Sequence, residues 1–321
     1  MMPEYAIGID IGGTNVRVGM VSRSGQCLYS KQIPILAAQG PARGIERISA
    51  LIDEVTAQTG VQPDAIGIGA TGLIDLDRGA IINPWTLPTW DDVEITKPLS
   101  DRFGIPCWVE NDADAAAVGE NCVGGGAGYR HITMFTYGTG IGTANVIEGK
   151  VYRGHNRMHT EGGHLPIDPT GPKCYCGANG CLEVLVAGPG IASIAQARLA
   201  TQTSAVLEMA KGKIENVTSE MVFDAARTGD AFSKQLVRET GRYIGLGIVA
   251  YMWVFMPDCV VLGGGIIRSY DLFKDEVADV IAQHSHVYPL TELPIKVAQL
   301  DQLAGVIGGA RCAMTQFFNE G

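Results

Sequence analysis

The amino-acid sequence predicts an α/β protein built from two related halves, and three observations carry that prediction. Short apolar runs of strand character end on glycine-rich turns at residues 12–14, 138–140 and 263–265. Apolar positions at helical spacing, Ile45, Ile48, Leu51, Ile52 and Val55, lie between two such runs. The succession strand, Gly-Thr turn, strand then occurs twice, at 7–18 and 132–147. Strands interleaved with helices are the pattern of an α/β architecture.

Residues 5–11 (YAIGIDI) read as a strand running into the first turn. Residues 16–21 read as its hairpin partner, and Ser24-Gly25 turns the chain into a third strand at 27–35. The helix at 41–59 stops at Gly60. A buried strand at 65–70 follows, then a loop rich in Pro and Trp at 83–90, a helix near 93–103 and a strand at 106–110. From Asn111 the pattern restarts with a small-residue helix at 113–119, a glycine-rich loop at 124–128, and strands at 131–137 and 143–147. Beyond Glu183 the chain reads as mostly helical. It returns to a buried strand at 259–262 and closes with a helix at 305–318. The strongly apolar run 244–256 stops at Pro257; it is too short to span a bilayer and reads as a buried helix. No Gly/Ser or Pro linker separates the halves, so their boundary is expected to be a hinge facing a cleft.

Composition narrows the function classes. The 321 residues are 46% apolar and 18% charged, enough apolar surface for a packed core. A net charge of −10 without a basic stripe argues against nucleic-acid and anionic-membrane partners. The N-terminal stretch has neither the basic nor the apolar segment of a secretory signal, so a cytoplasmic location is expected. In that setting the eight cysteines read first as metal-binding or catalytic rather than as disulfides. The 42 glycines, about twice ordinary usage, follow no collagen period.

Asp10-Ile-Gly-Gly-Thr14 places a carboxylate at a strand end before a turn whose backbone N–H groups could meet a phosphate, with Asp10 holding Mg²⁺ through water. Taken alone, such a turn reads first as a tight hairpin that needs Gly for φ > 0. Turns at Gly138-Thr139-Gly140 and Gly263-Gly264-Gly265 repeat the arrangement. They match neither a dinucleotide fingerprint nor a Walker loop, and suit a nucleotide held between two halves. Cys174, Cys176 and Cys181, with His164 ten residues before the first of them, supply three thiolates and an imidazole, the complement of a closed structural zinc site. Glu110, Asn111, Asp112 and Asp114 follow a strand and open a helix. At Asp114 capping and dipole compensation are the favoured roles, while Asp112 suits either capping or chemistry. Glu161 and Glu183 flank the cysteine cluster, so Asn, Asp, Glu and His together form a set that can hydrogen-bond a polyol.

With those motifs assembled, the sequence resembles the ROK sugar kinases, a branch of the actin-like ATPase superfamily, over essentially the whole chain. The resemblance rests on GIDIGGTNVRVG (8–19), VENDADAAAVGE (109–120), GTGIGTANV (138–146), EGGH (161–164), CYCGANGCLE (174–183) and VLGGGI (261–266). It implies two RNase H-like α/β domains with an interdomain cleft, and commonly a homodimer. The expected boundaries are 1–112, completed by a C-terminal helix at about 303–321, and 113–302 with the zinc-binding loop. It further implies ATP-dependent phosphorylation of a hexose 6-hydroxyl, with glucose first and fructose, allose, mannose or N-acetylmannosamine as alternatives. A sugar-sensing ROK transcriptional regulator is the reading from another class. By the same resemblance Asp112 is the general base. Gly72, Asn111, Asp112, Glu161, His164 and Glu183 contact sugar. Asp10, Gly12, Gly13, Thr14, Gly138, Thr139 and Gly140 take the phosphates and Mg²⁺, and Gly263, Gly264 and Gly265 face adenosine. His164, Cys174, Cys176 and Cys181 bind structural Zn²⁺, with the second ring nitrogen of His164 turned to a sugar hydroxyl. The chain departs from the family's HGxxGExGH at residues 155–160 and from its Pro-Asn at Pro84-Trp85, two places where the sugar pocket would be reshaped.

Overall fold

The structure, a computed structural model, describes residues 4–318. The chain forms two compact units. One comprises the residues up to Ile132, Ala144–Thr160 and those from Ala298 on; the other comprises Thr133–Thr143 and Glu161–Val297.

In the first unit, β1 (Tyr5–Ile11), β2 (Asn15–Ser22) and β3 (Cys27–Pro34) form an antiparallel meander. Helix α1 (Pro41–Thr59) carries the chain across to β4 (Ala65–Ala70), which pairs parallel to β1. Pro41 opens that helix and Gly60, at φ 68°, closes it in the left-handed conformation. Three short strands, β5 (Leu73–Asp75), β6 (Ala80–Ile82) and β7 (Val93–Glu94), make a small separate sheet. Helix α2 (Thr96–Phe103) then leads to β8 (Cys107–Asn111), parallel to β4. The order β3-β2-β1-β4-β8 is that expected of an RNase H-like domain. Helix α3 (Asp112–Val123) follows directly.

Side chains alternate across this sheet with period two, and the two faces differ sharply. Ile7, Ile9 and Ile11 of β1, with Ile66 and Ile68 of β4, pack in one cluster with Ile48, Leu51, Ile52 and Val55 of α1. The intervening positions are small. They admit the C-terminal helix, numbered α10 below (Ala304–Phe318), to backbone contact: a Cβ on Gly8 would lie 1.8 Å from the Val306 carbonyl oxygen, and one on Gly67 1.8 Å from that of Gly309. Helix α3 meets the same helix equally closely, since a Cβ on Gly308 would fall 1.6 Å from the Ala115 oxygen.

The second five-stranded sheet has the order β11-β10-β9-β12-β13, formed by β9 (His131–Tyr137), β10 (Ile141–Ile147), β11 (Lys150–Val151), β12 (Cys259–Gly263) and β13 (Ile295–Val297). The second unit is largely helical: α4 (Leu182–Val186), α5 (Gly188–Leu199), α6 (Ala205–Met209), α7 (Ser219–Arg227), α8 (Ala231–Phe255) and α9 (Lys274–Gln283). Their apolar faces join Phe135, Tyr137, Val260 and Leu262 in one core. Among the described residues no helix is long and apolar enough to cross a membrane.

Several sequence expectations shift. The helix expected from residue 93 starts at Thr96, because Val93 and Glu94 pair with Ile81 and Ala80. Helix α3 runs four residues past the expected small-residue stretch. The run 244–256 is helical up to Phe255, as expected before Pro257, yet its end is not buried: Val254 is 73% exposed. The expected helix over 303–321 is observed as Ala304–Phe318, and its last three residues lie outside those described. Because backbone atoms cannot yield as a side chain can, Gly67→Ala is expected to destabilise the protein by about 3 kcal/mol or more, read as a fall in thermal midpoint.

Candidate active site

In the first unit the site residues gather where β1, β4 and β8 end. Asn111 closes β8 in extended conformation and caps α3: its side-chain oxygen accepts from the N–H groups of Ala113 at 2.9 Å and Asp114 at 3.4 Å. Its Nδ2 donates to the Gly72 carbonyl at 3.1 Å. Gly72, at φ 105°, has no room for a Cβ, which would lie 2.6 Å from the Asn83 side chain. Asp112, the next residue, is half-buried in the first turn of α3, where the helix dipole favours its charge. Asp10 lies at the end of β1 on the glycine-lined face, so close to α10 that a Cβ on Gly305 would sit 2.7 Å from its carboxyl carbon. Burial first, and then the Asp112 charge, push the Asp10 carboxyl up to about 6, with Arg17 opposing them. Two carboxylates coupled in this way suit a divalent cation, whose charge would offset both. Gly13 and Thr14 in the adjoining turn are exposed, while Gly12 donates its N–H to the Asn15 oxygen at 3.0 Å.

The other expected site residues lie in the second unit. The Gly138–Gly140 turn joins β9 to β10, with Thr139 exposed at its tip. Glu183, in the first turn of α4, accepts from the Ile141 N–H at 2.9 Å, and a Cβ on Gly140 would approach its Oε2 to 2.8 Å. Gly263 ends β12 buried, whereas Gly264 (φ 90°) and Gly265 are exposed. Glu161 precedes a 3₁₀ turn, Gly162–His164, that packs too tightly for any side chain at Gly162: a Cβ there would be 1.9 Å from the Tyr251 hydroxyl. That turn presents His164 to the cysteines. The ring Nδ1 is 3.5 Å from Cys174 Sγ, and Cys176 and Cys181 lie 3.5 Å apart. All four ligand atoms fall within 4.8 Å of one another. Tetrahedral zinc with Zn–S of about 2.3 Å and Zn–N of about 2.0 Å requires ligand separations of about 3.5–3.8 Å; the two 3.5 Å pairs meet this, and the donor types suit the ion once the remaining separations close by up to about 1 Å. Burial and then the neighbouring thiols push Cys181 up to about 12, a penalty that bound zinc would reverse.

Three participants were not singled out from the sequence. Glu120 is buried and accepts from the N–H groups of Gly125, Gln299 and Leu300 at 2.7, 3.0 and 2.8 Å, fixing the chain just ahead of α10. Arg153 pairs with the buried Glu110. Tyr175, between two of the cysteines, places its hydroxyl 3.1 Å from His164 Nε2.

Asp114 departs from its expected role. Asn111 supplies the cap, and Asp114 is 1% exposed with no hydrogen-bond partner for either carboxylate oxygen among the described residues. Burial, then the Glu110 charge, raise its carboxyl well above the ordinary value, with His159 and Arg153 opposing. The native state therefore holds this proton at pH values where the unfolded chain releases it. Stability is full below the unfolded value of 3.8 and falls as pH rises from there toward the folded value. Asp114→Asn is expected to remove a slope of up to about 1.4 kcal/mol per pH unit, seen as thermal midpoints of variant and wild type that converge near pH 4 and separate above it.

Over whole chains, the ROK family profile matches residues 6–316. The sequence is 31% identical to a glucokinase from Thermotoga maritima over 310 residues, 96% of this chain and 97% of the relative. Among solved structures, the ROK hexokinase from Thermus thermophilus is similar at a TM-score of 0.84 and 29% identity, covering 98% of this chain and 99% of that one. A ROK family glucokinase from Streptomyces griseus, in complex with glucose and AMPPNP, is similar at a TM-score of 0.77 and 30% identity, covering 96% and 99%. The fold is thus that of two RNase H-like domains of the actin-like ATPase type, and the chain belongs to the ROK family.

Proposed function

We propose that the protein is an ATP-dependent sugar kinase that phosphorylates the 6-hydroxyl of a hexose, glucose first. The observation that carries this reading is the pair of coupled carboxylates in the first unit, one at a strand end beside an open Gly-Gly-Thr turn and one at a helix N-terminus beside a capping Asn. Phosphoryl transfer asks for positioning and charge neutralisation, with a carboxylate to orient the attacking hydroxyl. Asp112 takes the hydroxyl proton as the oxygen attacks the γ-phosphorus, and Asn111 and the Gly72 backbone hold the sugar beside it. Asp10 would hold Mg²⁺, while the turns at 12–14 and 138–140 receive the phosphates and Gly263–Gly265 faces adenosine. Bound Mg²⁺ supplies charge neutralisation on the phosphates. Glu161, His164 and Glu183 accept and donate at the remaining sugar hydroxyls. His164, Cys174, Cys176 and Cys181 would hold zinc as a closed structural site that stiffens the loop carrying His164 and Glu183. The T. maritima glucokinase and the glucose-bound S. griseus enzyme support the choice of sugar.

Asp112→Asn is expected to lower kcat for glucose at least about 100-fold while calorimetry finds glucose still bound, since the amide keeps the shape but not the base. Near-normal turnover would remove Asp112 from that role. Metal analysis is expected to find about one zinc per chain, lost in Cys181→Ser together with thermal stability. A zinc-free protein of full stability would contradict the closed site.

A further inference from the structure

The imidazole of His164 is committed at both nitrogens. Nδ1 faces Cys174, and Nε2 lies 3.1 Å from the Tyr175 hydroxyl, with the two rings meeting edge to face at 87° and 5.0 Å between centroids. Each ring nitrogen supports one in-plane hydrogen bond, as donor or acceptor according to tautomer. A ligand hydroxyl and the Tyr175 hydroxyl therefore cannot occupy Nε2 together. The phenol also shares a side-chain hydrogen bond with Glu183. It thus touches two of the three groups assigned to sugar hydroxyls in this unit.

Resting on the sugar-kinase reading, we propose that Tyr175 is an internal plug of the sugar subsite, its phenol standing in for a sugar hydroxyl on His164 and Glu183 and swinging aside when the sugar binds. The flanking residues favour a side-chain swing over a loop movement. Cys174 donates its N–H to the Ala178 oxygen at 2.8 Å and accepts from Gly177 N–H at 3.1 Å, so the backbone on either side of Tyr175 belongs to a tight turn. The ring itself is little constrained, since Tyr175 is 80% exposed and its recorded ring contact is with His164. Rotation about χ1 therefore forfeits little apolar burial, and the outward phenol regains water. The plug keeps two half-buried polar groups satisfied before sugar arrives. In exchange it weakens sugar binding by the fraction of molecules in which it is closed.

Removing only the hydroxyl tests this. Tyr175→Phe retains the ring against His164 but cannot hold Nε2 or Glu183. The expected result is a three- to tenfold lower KM for the sugar, with zinc content equal to wild type as evidence that the loop is intact; the range reflects the net worth of a single hydrogen bond of about 1 kcal/mol. In the wild type, sugar is expected to increase nitration of Tyr175 by tetranitromethane, mapped by peptide mass spectrometry, because displacement frees the phenol. Turnover with an unchanged or higher KM in Tyr175→Phe overturns the plug, as does protection of Tyr175 from nitration by sugar, which would make the phenol a sugar contact. Should neither protein bind or turn over any hexose, the kinase reading itself fails, and the plug falls with it.

Discussion

The close approach of the C-terminal helix α10 to the first sheet is the constraint on which the first unit's site depends. It exists because Gly8 and Gly67 leave gaps among the small side chains of one sheet face, and because α10 is itself rich in Gly and Ala, so backbone meets backbone. Two consequences reach the chemistry. The N-terminal turn of α10 comes to rest against Asp10, which shields that carboxyl from water and raises its proton affinity. The same helix locks against α3, whose first turn carries Asp112, so the two coupled carboxylates are set by one packed layer rather than by flexible loops. Rigid placement of this kind is what positioning chemistry needs, since a displacement of about 1 Å costs heavily in rate.

Charge beneath that layer is arranged with equal consequence. The strand end that supplies Asn111 begins its buried polar set with Glu110, held by Arg153 and by the indole of Trp108 at 3.4 Å. One turn into α3, Asp114 lies in the same buried region without such partners, and burial with the Glu110 charge raises its proton affinity instead. Glu120, farther along the helix, shows the opposite solution: three backbone donors satisfy it, and the carboxylate becomes a clamp on residues 299 and 300. One short helix thus carries a capped terminus, a half-buried acid, a buried acid of raised proton affinity and a carboxyl met by three backbone donors. Their differing behaviour follows from the partners available at each depth.

Much of this was legible in the sequence. Strands β1, β4 and β9 and helix α1 fall where the apolar periods place them, since each has a buried face long enough to outvote local propensity. The HisCys₃ group was legible because metal-ligand residue types are rare and their clustering is informative in one dimension; the structure brings the four side chains together. The small sheet of β5, β6 and β7 was not, because strands of two or three residues offer no period to count. Val254 misled for a related reason: an apolar run reports residue type but not where the packed surface beneath it ends. Asp114 and Glu120 are both acids in one helix, and only the third dimension tells the unsatisfied one from the saturated one. Tyr175 carried a signal in its place between two metal-ligand candidates, but nothing in sequence shows which way a side chain turns.

Glu183 belongs to two loops at once. It follows Cys181 by two residues, in the first turn of α4, and it accepts the Ile141 N–H behind the Gly138–Gly140 turn. A residue shared in this way makes the two loops thermodynamic neighbours. Whatever reorients Glu183 from the histidine side alters the free energy of the glycine turn, and by reciprocity whatever settles on that turn alters the histidine side by the same factor. No moving domain is needed for such communication: a single carboxylate, with one oxygen committed to a backbone N–H, is sufficient to make the presence of one ligand matter to the affinity of another.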